Sequence, residues 1–457
     1  MGAGISNWRL ARAVAKEGQL GVVASTGLDT VLVRRLQDGD PGGHMRRAMA
    51  QFPWPAVVER LLSRWFRPRR RATDGYGLVP LYRHRPDADR DATVALANFV
   101  EVWLAREGHD GEVGINLLTK IQPPTLPALY GAMLAGIGWV LMGAGIPRLV
   151  PGALDRLAMH EVAALPYEVV GATAPVELRF DPAPYWAGAD PTPLRRPKFV
   201  PIVSSHSLAT MLLRKANGRV DGFVVESSSA GGHNAPPREV GRFNERGEPV
   251  YGARDTADLA VMRELGVPFW LAGGTGTPAG VAAATAAGAA GVQVGTMFAF
   301  SRESGLLDSY KAEVFAALRA GTVDVRTDAR ASPTGYPFKV VEIPGVAASS
   351  PDRARICDLG YLRTAYQRPD GRIGHRCPGE PVDQFLAKGG ALAETAGRRC
   401  LCNALMANIG LAQSRPGEPA ELPLLTAGDE LKALGSFVGD RRGYSAAEVV
   451  AHLLAGA

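Results

Sequence analysis

Gly222-Phe223-Val224-Val225-Glu226-Ser227-Ser228-Ser229-Ala230-Gly231-Gly232-His233 is the stretch from which the fold is read. Its apolar first half predicts a buried strand, and its small-residue second half predicts a turn that presents a histidine at the strand's carboxyl end. α/β enzymes keep their chemistry at that end. A turn histidine without a task is the plain alternative, and the next segments weigh against it. Phe269-Trp270-Leu271-Ala272 runs into Gly273-Gly274-Thr275-Gly276-Thr277-Pro278, followed by an alanine-rich helix over about 279–287. Thr277 suits the N-cap and Pro278 the first helical position, where its missing N–H costs nothing. Another apolar run, Gly291-Val292-Gln293-Val294, then ends in Gly295-Thr296. Strand-end glycines let backbone N–H groups approach an anion, and the following helix adds the positive end of its dipole. In (β/α)₈ barrels the loops after strands seven and eight commonly hold a phosphate. Two such loops downstream of a strand-end histidine point to a phosphate-bearing cofactor.

Working outward, strand candidates recur at 20–25, 113–118, 139–143, 199–204, 222–227, 269–272 and 291–297. Ser6 is the expected cap of a helix over 7–17, closed by Gly18. Near-continuous apolar strands alternating with helices predict a parallel sheet covered on both faces. The fold expected is therefore α/β, a (β/α)₈ TIM barrel over residues 1–321, with insertions near 34–112 and 147–198. The insertions are expected to shape an entrance or partner surface rather than to carry the fold. A barrel needs eight strands and seven are found. The expectation is that the chain as written lacks its first strand, through a start assigned too late or through truncation.

Residues 322–457 predict a separate C-terminal unit that holds all four cysteines, Cys357, Cys377, Cys400 and Cys402, with His375 nearby. They are candidate ligands for zinc or an iron–sulfur cluster, although the paired C-x₂-C spacing of common zinc sites is missing. The alternative is a set of buried structural thiols. With no secretion signal, four cysteines in 457 residues fit a reducing cytoplasm. A net charge of +6 is mild for this length, and Arg67-Pro68-Arg69-Arg70-Arg71 reads as a solvated loop rather than a nucleic-acid surface. The uncharged stretches at 126–147 and 267–301 are broken by glycine and proline, so they read as barrel core and not as membrane spans.

Taken together, the motifs resemble the nitronate monooxygenase family, formerly 2-nitropropane dioxygenases. The resemblance runs over about residues 1–321. It is carried by Met1-Gly2-Ala3-Gly4-Ile5-Ser6, Gly114-Ile115-Asn116-Leu117, Met142-Gly143-Ala144-Gly145, Ser204-Ser205, Ala230-Gly231-Gly232-His233, Ala272-Gly273-Gly274-Thr275-Gly276 and Val294-Gly295-Thr296. Flavin-dependent enoyl reductases of fatty-acid and polyketide synthesis are similar too. Noncovalent FMN is what the resemblance implies, with the phosphate on Gly273, Gly274, Gly295 and Thr296. Met1, Gly2 and Asn116 would line the isoalloxazine region, with Ser205, Gly231 and Gly232 completing the cofactor site and His233 as the catalytic residue. The implied reaction oxidises a small alkyl nitronate with O2 to a carbonyl compound and nitrite. An NAD(P)H-dependent enoyl or quinone reductase and a non-catalytic flavin- or metal-carrying accessory protein are the alternatives. The partners expected are a small molecule and O2, with neither nucleic acid nor membrane, and with a homodimer left open. Two departures stand out. Asn234-Ala235-Pro236-Pro237 follows His233 where many members have Arg-Gly, and the simplest members lack the cysteine-bearing tail.

Overall fold

The computed structural model describes residues 2–70, 74–84, 87–343, 354–415, 417–418 and 421–455. Its centre is a curled sheet of seven parallel strands, as the apolar runs predict. These strands are β1 (Gly21–Ala24), β2 (Val113–Leu118) and β3 (Trp139–Gly143), then β7 (Lys198–Val203), β8 (Phe223–Glu226), β9 (Phe269–Ala272) and β10 (Gly291–Gln293). The second long connection supplies β4 (Ala163–Pro166), β5 (Val169–Val170) and β6 (Glu177–Phe180), of which β6 pairs antiparallel with β4. The sheet order is β1-β2-β3-β7-β8-β9-β10, so β1 and β10 are its edges, and among the described residues no strand joins them. This is a TIM-barrel-like α/β fold, curled but not closed.

Side-chain alternation gives each face of the sheet its own layer. Phe199, Phe223, Val225 and Phe269 point outward into the main core beneath the helices. Leu141, Val200, Val224 and Ala272 form a smaller apolar layer inside the curl. Register then decides which carboxyl-end residues share the inner face. Asn116 lies opposite Leu141, and Ala272 lies opposite both Glu226 and Gln293.

Two local expectations are corrected. The first helix is Trp8–Lys16, and its cap is Asn7, whose side chain accepts from the N–H groups of Arg9 and Leu10. Ser6 instead donates its hydroxyl to the Val22 carbonyl at 2.5 Å, tying the entry turn to β1. The connection over 34–112 does carry the fold. Its helix Ala88–Arg106 is the buried crossover between β1 and β2, packed on the helices Trp8–Lys16, Leu28–Gln37 and Thr125–Leu134. Charged residues disguise this helix in the sequence because they are buried in pairs: Arg90 with Asp29 at 2.5 Å, and Glu101 with Arg35 at 2.5 Å. A lone buried charge would be costly, and pairing makes it tolerable. The stretch over 126–147 forms a core helix and β3, as expected, and no described helix is long and apolar enough to cross a membrane.

Residues after 321 fold back over the carboxyl ends of the strands. β11 (Asp324–Asp328) and β12 (Phe338–Glu342) form one antiparallel ribbon. β13 (Thr364–Gln367) and β14 (Ile373–Arg376) form another, and β13 also runs parallel to β5. Leu359, Tyr361, Met406 and Leu411 join the main core, while Leu425, Tyr444 and Val449 share a second cluster with Ile5, Met297 and Phe315. The tail therefore completes the core of the barrel-like part.

Candidate functional site

A cavity of about 580 Å³ opens at the carboxyl ends of the strands and continues into the curl of the sheet. Its size suits a cofactor or a small ligand. Of the residues expected in the site, Gly2, Asn116, Gly231, Gly232, His233, Gly273, Gly295 and Thr296 line it. Met1 lies outside the described residues. Ser205 is not on the cavity wall; it caps the helix His206–Lys215 by accepting from the Leu208 N–H at 3.3 Å. Ser204, its neighbour, lines a smaller recess that also reaches Glu226.

His233 follows β8 as predicted, and a residue far along the chain holds it. Its backbone bridges to Phe338, whose ring meets the imidazole edge-on at 4.8 Å between centroids. Its Nε2 shares a hydrogen bond of 2.6 Å with the Ser332 hydroxyl. Burial pushes the imidazole down from 6.5 to about 4, so the resting ring is neutral. Asn116 is only 4% exposed on the inner face, and its amide makes just a marginal 3.5 Å contact with the Leu141 carbonyl. That amide is free to serve a ligand.

Two polar groups escaped sequence reasoning. Glu226 ends β8 and faces the cavity, where burial pushes its carboxyl up from 4.5 to about 7. Gln293 ends β10 on the same wall, and its Oε1 is buried without a hydrogen-bond partner. An unsatisfied acceptor of this kind is expensive unless a ligand or water reaches it. The signal for both was a polar residue closing an otherwise apolar strand.

The glycines divide by task. Gly273 and Gly274 take φ of +86° and +74°, a left-handed conformation that costs glycine little. A Cβ at Gly273 would lie 2.5 Å from the Ser227 hydroxyl oxygen and 2.7 Å from the Ala230 nitrogen. The nine-residue helix Pro278–Ala286 starts beside this turn, and the Thr277 hydroxyl caps it by accepting from the Gly280 N–H at 3.0 Å. Gly231 and Gly232 serve the tail as well. A Cβ on Gly231 would lie 2.8 Å from the Gly428 nitrogen, and the Gly232 N–H donates to the Thr426 hydroxyl at 2.9 Å. Thr296 accepts from the Gly428 N–H at 2.9 Å, and the Gly274 N–H donates to the Glu430 carboxylate at 2.8 Å.

The metal expectation is not supported. Among the described residues, no three His, Cys, Asp or Glu side chains are grouped to hold an ion. The four cysteines are free thiols. Cys400 and Cys402 hydrogen-bond each other, which lowers the first and raises the second, and burial pushes Cys357 up to about 12. His375, the expected neighbouring ligand, shares a 2.9 Å hydrogen bond with the Tyr167 hydroxyl instead.

The residues present do fit a flavin. The left-handed turn offers N–H groups beside a helix N-terminus, and the orphaned Gln293 oxygen awaits a donor. The Glu430 carboxylate, held by the Gly274 N–H, is a contact that a phosphate would have to displace.

Comparison with known proteins follows the same line. Residues 194–334 match the family model described as nitronate monooxygenase. No curated protein matches the chain. Among solved structures, a nitroalkane oxidase from Streptomyces ansochromogenes is 16% identical, with 100% of this chain and 93% of that chain covered and a TM-score of 0.45. FabK from Thermotoga maritima is also 16% identical, over 98% of this chain and 88% of that one, with a TM-score of 0.45. The enoyl reductase domain of MlnA from Bacillus amyloliquefaciens is 11% identical over 79% and 84%, with a TM-score of 0.41. The family match spans β7 to β10 and contains His233 and both glycine turns, so this part of the chain is similar to the nitronate monooxygenases.

Proposed function

We propose that this chain is an FMN-dependent nitronate monooxygenase that converts a small alkyl nitronate and O2 into a carbonyl compound and nitrite. The observation that carries the reading is a neutral His233, half-buried on the wall of the cavity that Gly273 also lines. A flavin bound there would supply one-electron oxidation and reactivity toward O2. Everything else falls to the chain. Gly273, Gly274, Gly295 and Thr296 hold the phosphate, and Gly2, Asn116 and Gln293 face the remainder of the cofactor.

His233 has two conceivable tasks, as a base on a neutral nitroalkane or as a cation beside the nitronate. Burial makes the neutral ring the resting form above about pH 4, so the base role needs no prior loss of a proton. The hydrogen bond to Ser332 fixes the ring plane and leaves Nδ1 as the nitrogen available for substrate. Glu226, titrating near neutrality on the same wall, can take up or return a proton at its carboxyl oxygen. Four free thiols fit work in a reducing cytoplasm.

The deciding experiment is an aerobic assay of the flavin-loaded protein with propionate 3-nitronate, run beside NADH plus an enoyl thioester. Nitrite release with O2 uptake and no NADH consumption supports the proposal. NADH consumption with the thioester replaces it by a flavin enoyl reductase. Retained flavin without turnover of either substrate indicates an accessory protein.

A further inference from the structure

We propose that Glu430 is a displaceable anion seated in the phosphate cradle, through which the tail sets the affinity for a phosphate-bearing cofactor. The proposal rests on the flavin reading of the cavity. Its basis is geometric. Glu430 Oε2 accepts the Gly274 N–H at 2.8 Å. The same oxygen lies 3.0 Å from where a Cβ of Gly428 would stand, and Oε1 lies 3.4 Å from where one of Gly276 would stand. The carboxylate therefore sits between the Gly274–Gly276 turn and the returning tail. This is where strand-end N–H groups and a helix N-terminus favour negative charge. Among the described residues it makes no ion pair, so the cradle is its polar partner.

A phosphate dianion and a carboxylate cannot share one seat, because like charges that close disfavour each other's charged forms. The backbone around Glu430 is fixed. The Asp429 N–H donates to the Ser229 carbonyl at 3.0 Å, the Asp429 carboxylate pairs with Lys339 Nζ at 2.7 Å, and Leu431 next door is fully buried. Displacement therefore means rotating one side chain and leaves the segment in place. Apparent affinity is the intrinsic affinity reduced by the fraction of molecules with the seat open. A charge-assisted hydrogen bond keeps that fraction low, so removing the charge should tighten binding by about tenfold.

Full-length protein stripped of flavin is titrated with FMN and with riboflavin, which lacks the phosphate, and flavin fluorescence is the readout. Glu430→Gln keeps an acceptor without charge, and Glu430→Ala removes both; circular dichroism checks that each folds. Both variants are expected to bind FMN about tenfold more tightly than the parent, with riboflavin unchanged. FMN affinity that is unchanged or weakened in both, or a gain shared equally by riboflavin, overturns the proposal while leaving the flavin reading intact. Absence of flavin binding in parent and variants alike overturns both.

Discussion

Replacing Glu226 with glutamine should raise thermal stability at pH 8 and do much less at pH 5. Burial lifts this carboxyl from 4.5 to about 7. In the unfolded chain it loses its proton near its ordinary value, and in the fold it does so only near neutrality. Its contribution is therefore intact below about pH 4.5 and is lost as pH rises through about 7. Lifting the carboxyl that far corresponds to about 3 kcal/mol. The side chain borders a cavity that solvent can enter, so screening reduces the expected gain to about 1–2 kcal/mol. For a chain of this length that is about 1–4 °C in melting temperature. Glutamine also brings an amide that must find partners, but that cost does not depend on pH. The informative quantity is the difference between the two shifts. Scanning calorimetry of cofactor-free parent and variant at pH 5 and pH 8 measures it. A shift of equal size and sign at both pH values would refute the argument, since it would mean that the carboxyl titrates in its ordinary range.

His233→Ala should retain flavin and lower turnover on the true substrate by about 10² or more, as expected for a positioned acid–base group; unchanged kcat/KM would remove the residue from the mechanism. Gly274→Val should yield colourless protein, because its φ of +74° excludes a β-branched side chain, and full FMN occupancy in this variant would move the phosphate elsewhere. Ser332→Ala should leave the fold and flavin content unchanged yet shift the pH dependence of kcat, since it frees His233 Nε2; an unaltered profile would show that Ser332 does not position the ring. Anaerobically purified protein should carry no stoichiometric zinc or iron, and one metal equivalent per chain by elemental analysis would restore the cysteine site that the structure does not support.

The sheet was legible because parallel strands buried on both faces leave long apolar runs. The seven runs map onto β1, β2, β3, β7, β8, β9 and β10 with ends shifted by a few residues. Thr277 as cap and Pro278 as first helical residue were legible too, because capping depends only on nearby residues. The helix Ala88–Arg106 was not. Its pattern is broken by Arg90 and Glu101, whose partners Asp29 and Arg35 lie more than sixty positions away. Periodicity reports which residues face a core, and it is blind to charges that enter the core together. The same blindness hid Glu226, which closes an apolar run, and Gln293, a single polar residue between Val292 and Val294.

The tail shows why a site can be half read from sequence. Four of the barrel features singled out there meet a tail residue in the structure: His233 meets Ser332 and Phe338, Gly232 meets Thr426, Thr296 meets Gly428, and Gly274 meets Glu430. None of these pairs is nearer than about a hundred residues in the chain, so no local pattern announces them. The glycines at 231 and 232 illustrate the consequence. A small residue at a strand end admits either a ligand or another stretch of backbone, and sequence cannot say which. Here Gly231 admits the backbone at Ala427 and Gly428, while it also lines the cavity. The cavity wall is therefore assembled from the barrel part and the tail together. The barrel part supplies the histidine and the Gly273–Gly274 turn, and the tail hydrogen-bonds the imidazole through Ser332 and sets the Glu430 carboxylate against the turn. Ser332, Thr426 and Glu430 reach the site through polar contacts, so substitutions there should act on the site while leaving the strands undisturbed.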